Sequence, residues 1–153
     1  MASQTEAEMY HERIVTTIDR IFATLDGLSG DDLNWKAPAD ATNSLYVLAT
    51  HVLGNVQENI AYQLGGRPLD RDRDAEFEAF GASADELRAR WEQRKTEVAA
   101  VFANLAPDAL DKEYTRPRSG EVLTGRKLLL NTAIHAGEHA GHAEMTRDLL
   151  KAR

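Results

Sequence analysis

The chain has 153 residues, with 18 Lys and Arg against 25 Asp and Glu, a formal net charge of −7 and no cysteine. That length suits one domain with a core of its own, and residues 1–153 are read as a single domain. The acidic balance and the lack of a basic cluster argue against a nucleic-acid partner, and the absence of thiols excludes disulfide scaffolds, thiolate-held zinc and a cysteine nucleophile.

The first residues, Ala2-Ser3-Gln4-Thr5-Glu6, carry neither a positive segment nor an apolar one. No apolar run approaches the roughly 18 residues of a membrane span, so a soluble cytoplasmic protein is expected. A first helix is predicted from about Thr5 to Leu28, where Ile14, Ile18, Ile21, Phe22 and Leu25 recur at spacings of three and four. His11 precedes that stripe and reads as a surface residue. Gly27, Ser29, Gly30 and Asp31-Asp32 end the helix, and a loop follows in which Trp35 either plugs one end of the core or lines a ligand cavity. Pro38 disfavours helix at Ala37, and Asn43 or Ser44 is placed to cap the next helix.

The second helix, about Ser44 to Leu64, has Leu45, Leu48, Val52, Val56 and Ile60 as its stripe. His51 lies between Leu48 and Val52, where it is either a satisfied core residue or a donor to a site on a facing helix. Gly65-Gly66 ends the helix. The charged stretch Arg67–Phe77 then reads as a solvated connector whose ion pairs contribute about 0–1 kcal/mol each, or as a flap over a site in which Arg73 or Glu76 touches a ligand. Ser83 and Glu86 form an S-x-x-E capping-box pattern opening a third helix to about Leu105, with Leu87, Trp91, Val98, Val101, Phe102 and Leu105 inward. Pro107 stops it. In the long connection to Gly125, Tyr114–Arg118 suits a short extended piece, and Thr124 caps a last helix from about Gly125 to Lys151.

That last helix holds three of the five histidines, His135, His139 and His142. At about 3.6 residues per turn, His135 and His139 are i and i+4, with His142 a further i+3, so the three share a face. An H-x-x-x-H pair on a helix can hold one divalent ion. Leu128, Thr132 and Met145 are expected to share or flank this face and so to aim the imidazoles at a core. Ala136, Gly137, Ala140 and Gly141 leave room around them. Four amphipathic helices without a period-2 segment predict an all-α four-helix bundle, in which metal sites are built from inward side chains on facing helices.

The chain resembles the DinB/YfiT-like superfamily of four-helix-bundle proteins over nearly its whole length. The resemblance is carried by Leu33-Asn34-Trp35-Lys36-Ala37-Pro38, Ser44-Leu45, His51-Val52-Leu53-Gly54, Arg71-Asp72-Arg73-Asp74-Ala75-Glu76-Phe77 and His135-x3-His139-x2-His142. It implies a divalent ion, zinc or nickel, held by His51, His135 and His139, with His142 lining the site without binding the metal. It also implies a low-molecular-weight thiol (bacillithiol, mycothiol or glutathione) as co-substrate, and a homodimer.

Three imidazoles on such an ion leave a position open, the mark of a catalytic site. Water bound there becomes a nucleophile near neutral pH, and a thiol is held as thiolate. The first gives a metal-dependent hydrolase and the second an S-transferase, which is the reading preferred; a non-enzymatic metal-binding stress-response module is the alternative of another class. His142 is the acid–base candidate. Glu138, beside the pair, is a weaker one with a solvent-facing or supporting role. A site built from that last helix alone competes with this assignment. However, His135 and His142 are about 10.5 Å apart along the axis at 1.5 Å per residue, too far for bonds of about 2.0–2.1 Å to one ion without strain.

Overall fold

A computed structural model describes residues 4–153. Residues 1–3, part of the N-terminal stretch read above, lie outside the described residues. Helix α1 (Glu6–Ala23) opens with a reciprocal cap: the Thr5 side chain accepts from the Glu8 backbone N–H, and the Glu8 carboxylate accepts from that of Thr5. Its apolar stripe is buried as expected. The helix stops at Ala23 rather than at Leu28, because the chain turns through Gly27 at φ +70°, a conformation glycine adopts without steric cost. Ser29 then caps a five-residue helix, α2 (Gly30–Asn34), where only helix-ending residues had been read.

Helix α3 (Leu45–Val56), capped by Ser44, has every residue buried. The predicted stripe was too narrow because this helix packs against α1, α2 and the three remaining helices, α4 (Arg73–Glu76), α5 (Asp85–Ala103) and α6 (Gly125–Lys151). It runs on into a π-helical segment, Gln57–Leu64, closed by Gly65 N–H donating to the Ile60 carbonyl at 2.9 Å. Such a wide turn rotates the chain relative to an α-helix. Glu58 and Asn59 are buried there beside Ile60 and Ala61, and Asn59 donates across to Thr132 Oγ1 on α6 at 3.1 Å.

In the charged linker Asp72 caps α4, the unforeseen four-residue helix. Helix α5 starts without the predicted capping box. Ser83 Oγ accepts only from Asp85 N–H, and Ala84 takes the cap position with no side-chain bond. Leu87, Trp91, Val98 and Val101 are buried, while Phe102 and Leu105 pack half-buried at the edge of the core. The long connection folds into an antiparallel hairpin, β1 (Glu113–Thr115) and β2 (Val122–Thr124), pairing Tyr114 with Leu123. The extended piece was expected, its partner strand was not. Thr124 caps α6 through Lys127 N–H.

The four long helices α1, α3 with its π-helical continuation, α5 and α6 form the bundle. Ile14, Ile18, Val52, Leu87, Trp91 and Leu129 lie in its core. Trp91 is a core residue, stacked on Phe22 and donating to Asp19 at 2.8 Å. Trp35 is half-buried with the Arg153 guanidinium over its ring. His11 is half-buried as well, stacked on Phe102 at 4.7 Å, which corrects its reading as a surface residue. No helix among the described residues is long and apolar enough to cross a membrane.

Candidate metal centre

Packing α3 against α6 brings His51 to the pair on α6. One ring nitrogen of each of His51, His135 and His139 lies within 4.8 Å of those of the other two. His51 Nε2 and His135 Nε2 are 2.9 Å apart, and His135 Nε2 and His139 Nε2 are 3.1 Å apart. Small residues make this approach possible, since Ala136, Ala140 and Ala143 on α6 are buried against the neighbouring helices. His142 is exposed, its ring 5.6 Å from that of His139. Glu138 is exposed too and bonds to none of the imidazoles among the described residues.

Met145 does not continue the histidine face. It is 62% exposed, because ten residues from His135 at 100° each fall about 80° short of a whole number of turns. The face beside His142 therefore opens to solvent.

What orients His51 comes from the linker. Its Nδ1 lies 2.7 Å from Glu76 Oε2, and Glu76 in turn accepts from Arg71 Nε at 2.7 Å and Arg71 Nη2 at 3.0 Å. Arg71 also reaches Glu58 on the π-helical segment at 3.1 Å, and all three side chains are at least 93% buried. Burial works against the Glu76 carboxylate, but its bonds from His51 and Arg71 prevail and hold it below the usual carboxylate range. An ionised carboxylate can only accept, so His51 Nδ1 carries a proton, and in the neutral ring this tautomer turns the Nε2 lone pair toward the other two rings. Gly54, one turn past His51, is part of this arrangement, because a β-carbon there would overlap Glu76 Oε1. Through Glu76 the linker thus touches His51 itself.

The donor set fits a divalent cation. With the His51 ring in its neutral Nδ1–H form, Nε2 has no proton to give, and His135 Nε2 can aim at most one, at one neighbour. One of the two short N···N contacts would otherwise be left without a hydrogen bond. Bonds of about 2.0–2.1 Å in a tetrahedron place nitrogens roughly 3.3 Å apart, close to the spacing found. His139 Nδ1 is buried without a hydrogen-bond partner among the described residues, so its ring is held by packing and by what meets Nε2.

Burial, followed by the neighbouring imidazoles and the Arg71 and Arg73 charges, pushes His135 down from 6.5 to about 3. Burial and then His51 and His142 push His139 down to about 4. Both are neutral and able to bind metal at pH 7. In the unfolded chain they take up protons near 6.5, whereas the folded chain resists until about pH 4 and 3. Stability of the metal-free protein is therefore expected to fall as pH drops from about 6.5 toward 4. Thermal melts of chelator-treated protein across that range check it; a melting temperature constant from pH 7 to 4 contradicts the burial of these two rings.

The family model described as the DinB superfamily matches residues 13–143. The chain belongs to the DinB superfamily. Among solved structures it is similar to a conserved protein from Enterococcus faecalis, with a TM-score of 0.80 at 14% identity over 99% of this chain and 100% of that one. It is similar as well to a protein from Streptococcus pneumoniae, with a TM-score of 0.69 at 13% identity over 95% and 92%. A third neighbour is the colibactin self-resistance protein ClbS, solved in complex with a dsDNA, with a TM-score of 0.63 at 15% identity over 94% and 96%. At these identities the likeness is one of fold. No curated protein matches the sequence. The DinB four-helix bundle expected from the sequence is the fold found, with α2, α4 and the hairpin added to it.

Of the site residues read from the sequence, the structure gathers His51, His135 and His139 and leaves His142 at the rim. Sequence reasoning missed Arg71 and Glu58 as partners in the support of His51. The available signal was the mixed-charge run Arg71–Glu76 facing Glu58, a buried-side acid two turns after His51.

Proposed function

We propose that this DinB protein is a divalent-metal-dependent enzyme, an S-transferase using a low-molecular-weight thiol, with zinc or nickel held by His51, His135 and His139. The observation that carries the reading is the convergence of three imidazoles from two helices, one of them oriented by a buried carboxylate, with the half-buried His139 and the exposed His142 marking an open side. A divalent ion there supplies Lewis acidity that favours the thiolate form of a bound thiol. Glu76 fixes the His51 tautomer, and the packed α3–α6 contact fixes the spacing of the donors. His142, outside the donor set and exposed, takes or gives the proton exchanged at the rim. The net charge of −7 favours a small-molecule partner over nucleic acid. We place the protein in the cytoplasm as a single domain spanning 1–153. A homodimer through α6 is consistent with the exposure of Leu130, Ile134, Met145 and Leu149 on one side of that helix.

The test is elemental analysis of protein purified without a histidine tag or added metal, joined to turnover screens and sedimentation. About one equivalent of a transition metal is expected, with thiol-dependent consumption of electrophiles. Turnover of esters or amides without thiol would instead support a hydrolase, and full metal with no turnover a binding module. Less than about a tenth of an equivalent, with no uptake on titration, would defeat the metal reading; a monomer at high concentration removes the dimer.

A further inference from the structure

Beside the metal centre, a cleft of about 470 Å³ runs between α4 and the hairpin, where Arg71, Arg73 and Arg118 face it together with the acids Glu58, Asp72 and Asp74. Its arginines differ in what they already hold. Arg71 is committed to Glu58 and Glu76, and Arg118 lies 3.8 Å from Asp74. The Arg73 guanidinium has no carboxylate within 4.0 Å among the described residues. It rests 5.0 Å over the Phe77 ring, and that ring packs 4.9 Å from His51. Stacking on an aromatic face fixes the plane of a guanidinium while leaving its N–H edge for a bidentate acceptor. Arg73 thus joins the cleft to the metal centre through a single aromatic ring, and its charge is felt at His135. In a chain of net charge −7, an uncommitted and pre-oriented guanidinium at this place suits an anionic ligand group.

We infer that the Arg73–Arg118 cleft binds the carboxylate of a small, acidic co-substrate whose other end reaches the His51–His135–His139 centre. This rests on the metal centre of the proposed function being the reactive site, and names the chemistry of what it accepts. The ligand is an organic carboxylate of peptide-fragment size. Arg73 takes it in a two-point, charge-assisted contact, and Arg118 adds charge at the far wall. Contacts of that kind change affinity by roughly tenfold or more.

The probes are glutathione and its diethyl ester, which match in thiol and nearly in size but differ in carboxylate charge. Binding to the cobalt-loaded protein is read from thiolate-to-cobalt absorbance. Glutathione is expected to bind at least about tenfold more tightly than the diester. Arg73→Gln should bring glutathione down to the diester's level while leaving the diester unchanged, and Arg118→Gln should cause a smaller loss. Equal affinities of the two thiols for the wild-type protein, or an Arg73→Gln variant that still discriminates, would overturn the inference. Absence of the band with both thiols would defeat the thiol reading instead. The carboxylate site is then decided by calorimetry with S-methylglutathione, which forms no thiolate: heat that Arg73→Gln abolishes upholds it, and no heat at millimolar ligand overturns it. Thermal melts of the two variants, both altered at solvent-reaching side chains, establish that they are folded.

Discussion

His51→Ala is expected to abolish tight metal binding as completely as His135→Ala or His139→Ala, whereas His142→Ala should leave affinity within about tenfold of wild type. The first three side chains supply the nitrogens that lie 2.9 and 3.1 Å apart at the α3–α6 contact, and removing any one leaves two donors for an ion that takes four ligands. His142 is exposed, with its ring beyond that of His139, so its loss acts on the approach to the site. The losses in the first three variants should exceed the 10–100-fold typical of removing an outer partner of a ligand. Titrations of zinc against a competing chelator measure all four. If His51→Ala binds like wild type while His142→Ala does not, the ion is held by α6 alone and the two-helix centre is wrong. Thermal melts separate this from unfolding, since removing an imidazole from so polar a junction leaves the apolar core of Ile18, Val52 and Leu129 intact.

The parts of this site that were legible in the sequence are those set by local periodicity. His135 and His139 face one way because four residues nearly complete a turn, and His51 lies between Leu48 and Val52 on a helix whose apolar pattern points it inward. The order of the helices and the bundle follow from the same patterning. Features that depend on contacts far apart in sequence were not legible. Glu76 is buried because Asp72 caps one turn of helix that lays it against Gly54, a pairing that no local pattern announces. Glu58 turns inward because the chain widens into a π-helix after Val56, which a 3.6-residue period does not foresee. The capping box at Ser83 failed because the chain first makes a turn at Ala84, and Met145 was placed on the histidine face by residue type where the helical angle puts it outside.

Glu76→Gln is expected to lower metal affinity about 10–100-fold with a smaller loss of stability than Glu76→Ala. The amide retains the shape of the carboxylate and, at the Oε2 position, an oxygen for His51 Nδ1–H and Arg71 Nη2, but it loses the charge that fixes the tautomer and sets an N–H against Arg71 Nε where an oxygen accepted at 2.7 Å. Glu76→Ala and Arg71→Ala go further, since the first leaves the Arg71 guanidinium with Glu58 alone and the second takes their shared guanidinium from the Glu58 and Glu76 carboxylates, among side chains about 5–7% exposed. Breaking a buried pair in this way costs about 3–5 kcal/mol. Gly54→Ala should mimic the loss of affinity without touching a charge, because its β-carbon takes the place of Glu76 Oε1. The double variant Arg71→Met/Glu76→Leu separates the two roles. Replacing both partners by apolar groups of similar size is expected to regain part of the stability that either single deletion loses, with the Arg116 guanidinium 3.8 Å away left to face the Glu58 carboxylate. The weak metal binding should persist, because no acceptor then holds His51 Nδ1–H. Denaturant unfolding of chelator-treated protein gives the stabilities, and zinc titration gives the affinities. If Glu76→Gln and the double variant both bind zinc like wild type, the buried Glu58–Arg71–Glu76 group serves only to fasten the linker to α3, and the orientation of His51 must come from packing against Phe77 alone.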